Sequence, residues 1–147
     1  MALYFVDRSL IERHLLYMDG LLNEFDQHSY DSFLEKLSLE RMSHMIIESM
    51  LDVGNMIIDG FIMRDPGSFS DIIDILVDET VLPAEEADGY KQVIELRKML
   101  IKDYLNIDHE EILRVIKTNY VSIEMFSSRV NDFLDNETGV ANTFSGN

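Results

Sequence analysis

The stretch RMSHMIIESMLDVGNMIID, residues 41–59, decides the fold. Stepping by three or four from Arg41 gives His44, Glu48, Asp52, Asn55 and Asp59, one polar stripe at helical period. Met42, Met45, Ile46, Ile47, Met50, Leu51, Val53, Met56, Ile57 and Ile58 cover nearly every other direction. A helix that is apolar on most sides lies at the centre of a bundle or in an oligomer interface. Its methionines suit adaptable contacts of either kind.

Working outward, the same 3.6-residue period recurs. A helical region is expected from about Asp31 to Arg64, with a possible bend near Ser38. Before it, Leu10, Ile11, Leu15, Met18, Leu21, Leu22 and Phe25 form a stripe that Asp7 or Ser9 can cap. After it, DPGS at 65–68 suits a turn, and Ser68 or Ser70 can cap a short helix reaching Glu79. Pro83 reads as a first-turn proline of a helix running to about Leu105. Asp108 caps a fifth helix, with Glu111 at the capping-box position and a stripe from Ile112 to Leu134. The expectation is an all-α, up-and-down helical bundle of four long helices plus one short helix. Residues 1–135 form a single domain, and the polar, glycine-containing residues 136–147 form a disordered tail.

The chain has 147 residues, 46% of them hydrophobic, which is enough for one domain with a real core. It contains no cysteine, which excludes disulfides and thiolate metal sites and favours a reducing cytoplasm. MALYFVDRSL holds an apolar run of five residues ending at a charge, so no signal peptide is expected. No uncharged run is long enough to span a membrane. The net charge of −16 disfavours broad binding to polyanions. The charge is uneven, however. Residues 91–117 hold six basic residues (Lys91, Arg97, Lys98, Lys102, Arg114, Lys117) against five acidic ones. The rest of the chain holds six against twenty-three. A local phosphate site is compatible with this segment.

Within it, VIELRKMLIKDYL (93–105) sets an arginine in an apolar stripe. Tyr90, Val93, Ile94, Leu100, Ile101 and Tyr104 share the face of Arg97 at period 3.6. A guanidinium withdrawn from water needs an acid, a carbonyl or a ligand. Glu48 and Asp52 of the central helix are the nominated acids. An anion is the other candidate, because the planar fork of arginine donates two hydrogen bonds at once to phosphate. Tyr104 could add its hydroxyl. Lys102 lies about 140° around the helix from Arg97. The polar stripe itself can be a solvent-facing strip or a cleft wall. His44 and Glu48, four apart, could both reach one metal ion, but no ExxH, HExxH or HD pattern supplies further ligands. There is no glycine-rich phosphate loop and no GxSxG elbow.

LRKMLIKDYLNID, residues 96–108, resembles the signature of the HepT-like ribonucleases of the HEPN superfamily: Arg, four residues, His, one residue, Tyr. Arg97 falls on the arginine and Tyr104 on the tyrosine, while Lys102 stands where that family has histidine. IIESMLDVGNMIID resembles the family's long second helix, with Asp52 as its polar residue. The resemblance spans roughly residues 7–135. It implies a homodimer that brings Arg and His together for metal-independent RNA cleavage, with no cofactor, as in type VII toxin–antitoxin systems. It also implies an MNT-type nucleotidyltransferase antitoxin as partner, which can adenylylate the motif tyrosine, here Tyr104. On that basis Arg97, Lys102 and Tyr104 are the candidate catalytic positions, and Lys98, Asp52 and Glu48 the candidate binding positions. A lysine of ordinary pKa is protonated at neutral pH and is a poor base, though it can hold phosphate. None of His14, His28, His44 and His109 stands at the motif position. The competing reading is a non-catalytic scaffold or regulatory dimer in which Arg97 is an ion-pair partner only.

Overall fold

The computed structural model describes residues 6–145, with side chains as far as Glu137. Helix α1 spans Arg8–Phe25 and is capped by Asp7, whose side chain accepts from the Leu10 amide. Its buried residues, Ile11, Leu15, Met18, Leu22 and Phe25, step alternately by four and three, so one stripe faces inward. Helix α2, Phe33–Gly60, starts two residues later than Asp31 because Ser32 and Glu35 form a reciprocal capping box. It is unbroken at Ser38 and forms the spine of the bundle. Leu39, Ile46, Ile47, Val53 and Ile57 are fully enclosed. Of the helices that follow, α3 (Phe69–Asp78), α4 (Ala87–Lys102), α5 (His109–Thr118) and α6 (Tyr120–Ser145), the first three pack on α2, as does α1.

Helix α3 is Phe69–Asp78, capped by Ser68. The preceding turn is pinned by Arg64, which donates to both oxygens of Asp71 at 2.7 and 2.9 Å. The Gly67 amide donates to the same carboxylate. Gly54 of α2 lets α3 approach closely: a Cβ there would stand 2.6 Å from Ile72 Cγ2. Both α2 and α3 end with a left-handed residue, Ile62 (φ 54°) and Thr80 (φ 62°). The amides of Met63 and Val81 reach back to Ile58 and Leu76, closing the six-to-one bond of a Schellman ending without glycine.

A 3-10 turn at Ala84–Glu86 leads into α4, Ala87–Lys102, which packs against α2, α3, α5 and α6. The helix expected to continue to Leu105 leaves α geometry at Asp103 (φ −106°, ψ 37°), and Tyr104–Asn106 form a second 3-10 turn. Half-buried Ile107 turns the chain back to the core. Asp108 caps α5, His109–Thr118, but only half of the expected capping box forms. Glu111 turns to Arg114 instead of back to the cap.

The long fifth helix of the sequence reading is two helices. The chain breaks at Asn119 (φ −107°, ψ 14°), and α6 runs Tyr120–Ser145 back along α1 and α4. Asn119 donates to the Val115 carbonyl and to Gln92, in space left open by Gly89. Buried Tyr90 on α4 donates to Glu86 and to the Ser122 carbonyl of α6. Burial alone pushes Glu86 up, but hydrogen bonds from Arg129 and Tyr90 outweigh it and hold the carboxyl below its usual range. The segment expected as a disordered tail, 136–147, is taken up by α6 as far as Ser145, and residues 146 and 147 lie outside the described residues. Among the described residues the fold is all helical, as expected, with six α-helices in place of five. No described helix is long and apolar enough to cross a membrane.

Candidate functional site

Arg97 projects from the middle of α4, with Val93, Ile94 and Leu100 buried on either side of it. The apolar face is therefore real, and the guanidinium stands at its edge with the side chain 29% exposed. Two elements position it. Glu48 of α2 accepts from Nε at 2.6 Å. Phe69, the first residue of α3, lies under it, with Cζ 4.4 Å from the ring centroid, close enough for a cation–π contact. The pair uses Nε alone. Nη1 and Nη2 donate no hydrogen bond among the described residues, and neither is sealed from solvent.

Glu48, not Asp52, is the acid that meets Arg97. Asp52 lies one turn further along α2, exposed and without a described partner. Glu48 also serves His44, whose Nε2 lies 3.4 Å from the same carboxylate oxygen. One acid thus links an imidazole on α2 to the guanidinium on α4. The polar stripe of α2 is neither a plain solvent strip nor fully closed. Its middle is half-buried against α4, and its end at Asp59 is exposed.

Beside this trio a cleft of about 220 Å³ is lined by Leu37, Glu40, Arg41, His44 and Leu100. Glu40 holds His109, the first residue of α5, with His109 Nε2 2.7 Å from its carboxylate. His109 follows the expected cap Asp108 as the first residue of α5; that α5 folds onto α2 so that His109 meets Glu40 was not legible. A larger hollow of about 480 Å³ lies at the α1–α2 corner, lined by Leu21, Tyr30, Leu34 and Met42, but it does not reach Arg97.

The remaining candidates sit elsewhere. Lys98 is exposed and 3.5 Å from Glu95. Lys102 is the exposed last residue of α4. Tyr104 is 66% exposed in the 3-10 turn. Helical projection put it on the Arg97 face, and that placement is corrected because the α-helix ends before it. Among the described residues, no group of three or more His, Asp or Glu side chains is placed to hold a metal ion. The strongly displaced titrations belong to structural contacts. Arg64, then the Gly67 amide, hold Asp71 down to about 2. Burial, then Glu86, push Tyr90 upward.

Residues 11–130, most of the bundle with Arg97, Glu48 and His44, match the family model described as Ribonuclease HepT-like. The chain belongs to the HepT-like ribonuclease family. It is 45% identical over 143 residues to a protein of Bacillus subtilis (strain 168) described as "Putative RNase YutE". That alignment covers 97% of this chain and 99% of the relative. The solved structure of YutE, described as a cytosolic protein of unknown function, superposes with a TM-score of 0.91 at 46% identity. It covers 93% of this chain and 96% of that one. Two solved structures at 17% identity share the HepT-like fold. One is a toxin–antitoxin crystal structure with AMP-PNP, TM-score 0.71, covering 82% of this chain and 96% of that one. The other is a tri-AMPylated HEPN toxin of Shewanella oneidensis in complex with an MNT antitoxin, TM-score 0.74, covering 83% and 96%.

Proposed function

We propose that this HepT-like protein binds the phosphate backbone of RNA at Arg97 and acts as a cytoplasmic, metal-independent ribonuclease of toxin–antitoxin type. The carrying observation is the guanidinium held through Nε by Glu48 and stacked on Phe69, with its two terminal nitrogens unpartnered and not sealed from solvent. That is the orientation a bidentate phosphate contact requires. A fork already fixed by an acid and an aromatic ring loses little freedom when it binds.

The working form in this reading is a homodimer. Phe33, Leu34 and Leu37 on the first turns of α2, Ile101 at the end of α4 and Leu105 in the 3-10 turn after it are exposed large apolar residues. Leu37 and Leu100 line the cleft beside His44, so this apolar surface borders the site. A second copy would cover it and bring two Arg97 sites together, with Lys102 and Lys98 adding positive charge. The MNT antitoxin in one fold neighbour supports a nucleotidyltransferase partner for this chain. Tyr104, with its ring 66% exposed, is the proposed acceptor of its AMP group.

One pair of observations favours the scaffold reading. Glu48 already neutralises Arg97, and Lys102 occupies the histidine position. The discriminating experiment measures RNA binding and cleavage by wild type, Arg97→Ala and Lys102→His. The ribonuclease reading expects salt-sensitive binding, with both binding and cleavage lost in Arg97→Ala. Wild type that neither binds nor cleaves RNA, with no gain in Lys102→His, leaves the scaffold dimer. Incubation with an MNT-type nucleotidyltransferase and ATP, read by mass spectrometry, tests Tyr104 separately. An AMP adduct that persists in Tyr104→Phe would exclude it.

A further inference from the structure

We infer that His44, on a different helix from the family motif, supplies the imidazole for proton transfer at the Arg97 site. The inference rests on the ribonuclease reading and asks where the base resides when Lys102 stands at the histidine position. Three observations converge on His44. Its Nε2 is 3.4 Å from Glu48 Oε1, the same oxygen that accepts from Arg97 Nε. Its side chain is 29% exposed and lines an open cleft of about 220 Å³. The other nearby histidine, His109, is committed to Glu40 at 2.7 Å and does not line that cleft. Lys102 projects about 140° away from Arg97 around α4 and is exposed.

The arrangement has the logic of a carboxylate–imidazole dyad. At 3.4 Å the His44–Glu48 pair stands at ion-pair distance without a formed hydrogen bond; a ring rotation that points Nε2–H at Glu48 leaves Nδ1 as the basic nitrogen, and Glu48 then stabilises the imidazolium that forms. Arg97 holds the scissile phosphate through Nη1 and Nη2. The 2′-hydroxyl gives its proton to Nδ1 as its oxygen forms a bond to phosphorus. The bond from phosphorus to the 5′-oxygen breaks, and that oxygen takes a proton from water. The products are a 2′,3′-cyclic phosphate and a 5′-hydroxyl, and the imidazolium returns its proton to solvent. No metal or other co-reactant is needed.

The charged groups nearest His44 are Glu40, Arg41 and Glu48 of α2; Arg97 of α4 stands behind Glu48, and His109 of α5 is one step removed, bound to Glu40. The test is single-turnover cleavage of a single-stranded RNA oligonucleotide by the full chain, with binding measured in parallel. Variants are His44→Ala, His44→Gln and, as control, His109→Gln. Both His44 variants are expected to cleave about 100-fold more slowly while the RNA dissociation constant moves by less than about threefold. The limb of the rate–pH profile that reports the base is expected to disappear, and added imidazole to restore cleavage by His44→Ala. His109→Gln is expected to keep the wild-type profile. Cleavage by His44→Gln within about threefold of wild type overturns the assignment. So does a His44→Ala defect that imidazole leaves unchanged while circular dichroism shows the native helix content. Wild type that binds RNA in an Arg97-dependent way without cleaving it overturns the assignment too, but leaves phosphate binding standing. Loss of both binding and cleavage in wild type removes the two together.

Discussion

Gly54→Ala probes the closest approach in the bundle, and its cost can be worked from the structure. An added Cβ would lie 2.6 Å from Ile72 Cγ2 and 3.5 Å from Leu76 Cδ1. Carbon atoms at rest stand about 3.5–4.0 Å apart, so α2 and α3 must separate by roughly 1 Å. Ile72 cannot swing aside, because a β-branched residue in a helix has one strongly preferred rotamer. With no rotamer to yield, the cost falls in the upper part of the usual overpacking range, about 2–3 kcal/mol. Replacing glycine inside a helix returns up to about 1 kcal/mol. The net expectation is a loss of about 1–2 kcal/mol, which moves a urea midpoint down by roughly 0.5–1 M. Gly20→Ala is the internal control. It lies mid-helix in α1 with nothing within 4 Å of its added Cβ, so only the propensity gain applies and its midpoint should rise. Ile72→Leu removes the offending Cγ2 branch at nearly constant volume, so the double variant should recover part of the loss. Separation also shifts Phe69, the first residue of α3, under Arg97, which makes RNA affinity a second readout. A Gly54→Ala midpoint at or above wild type, with Gly20→Ala behaving as expected, would refute the tight α2–α3 contact.

Other perturbations test separate joints. Ile62, 67% exposed at φ 54°, occupies a left-handed helix ending that suits glycine, so Ile62→Gly should raise stability by about 1 kcal/mol in thermal unfolding. An unchanged or lower melting temperature would count against that backbone geometry. Asp71 is held down to about 2 by Arg64 and the Gly67 amide, so its contribution is complete above the ordinary carboxylate pKa and fades as pH falls toward 2. The stability gap between wild type and Asp71→Asn should therefore narrow from about pH 5 down to about pH 2, and a constant gap would contradict the Arg64 clasp. Tyr90→Phe removes a buried hydroxyl that bonds Glu86 and the Ser122 carbonyl, at an expected cost of about 1–3 kcal/mol. Denaturant midpoints of Tyr90→Phe and Glu86→Gln, alone and combined, should be less than additive if the two form one network.

Helical periodicity was enough for the spine. The stripe of α2, the inward face of α1 and the caps at Asp7, Ser68 and Asp108 were all legible because each depends on residues within a turn or two of one another. Family membership was legible as well, from the Arg97…Tyr104 spacing and the apolar helix carrying Asp52, and the match over residues 11–130 agrees. The break at Asn119 was not. The residue continues an apolar stripe by period alone, and it becomes a joint because Gly89 on another helix leaves room for its side chain. Ile62 and Thr80 at left-handed endings were equally hidden, since sequence rules nominate glycine there.

The sequence by itself determined an all-helical chain, its spine, a local island of positive charge, and the need of Arg97 for a partner. Those follow from period, composition and the cost of withdrawing a guanidinium from water. Only the tertiary structure decided between Glu48 and Asp52, set Phe69 beneath the guanidinium, moved Tyr104 off its face and drew His44 into the same ion-pair group. The two contacts that place Arg97 reach across about 50 positions to Glu48 on α2 and about 30 to Phe69 on α3. Which of two acids one turn apart meets an arginine depends on the axial offset of packed helices, and no local pattern encodes that offset.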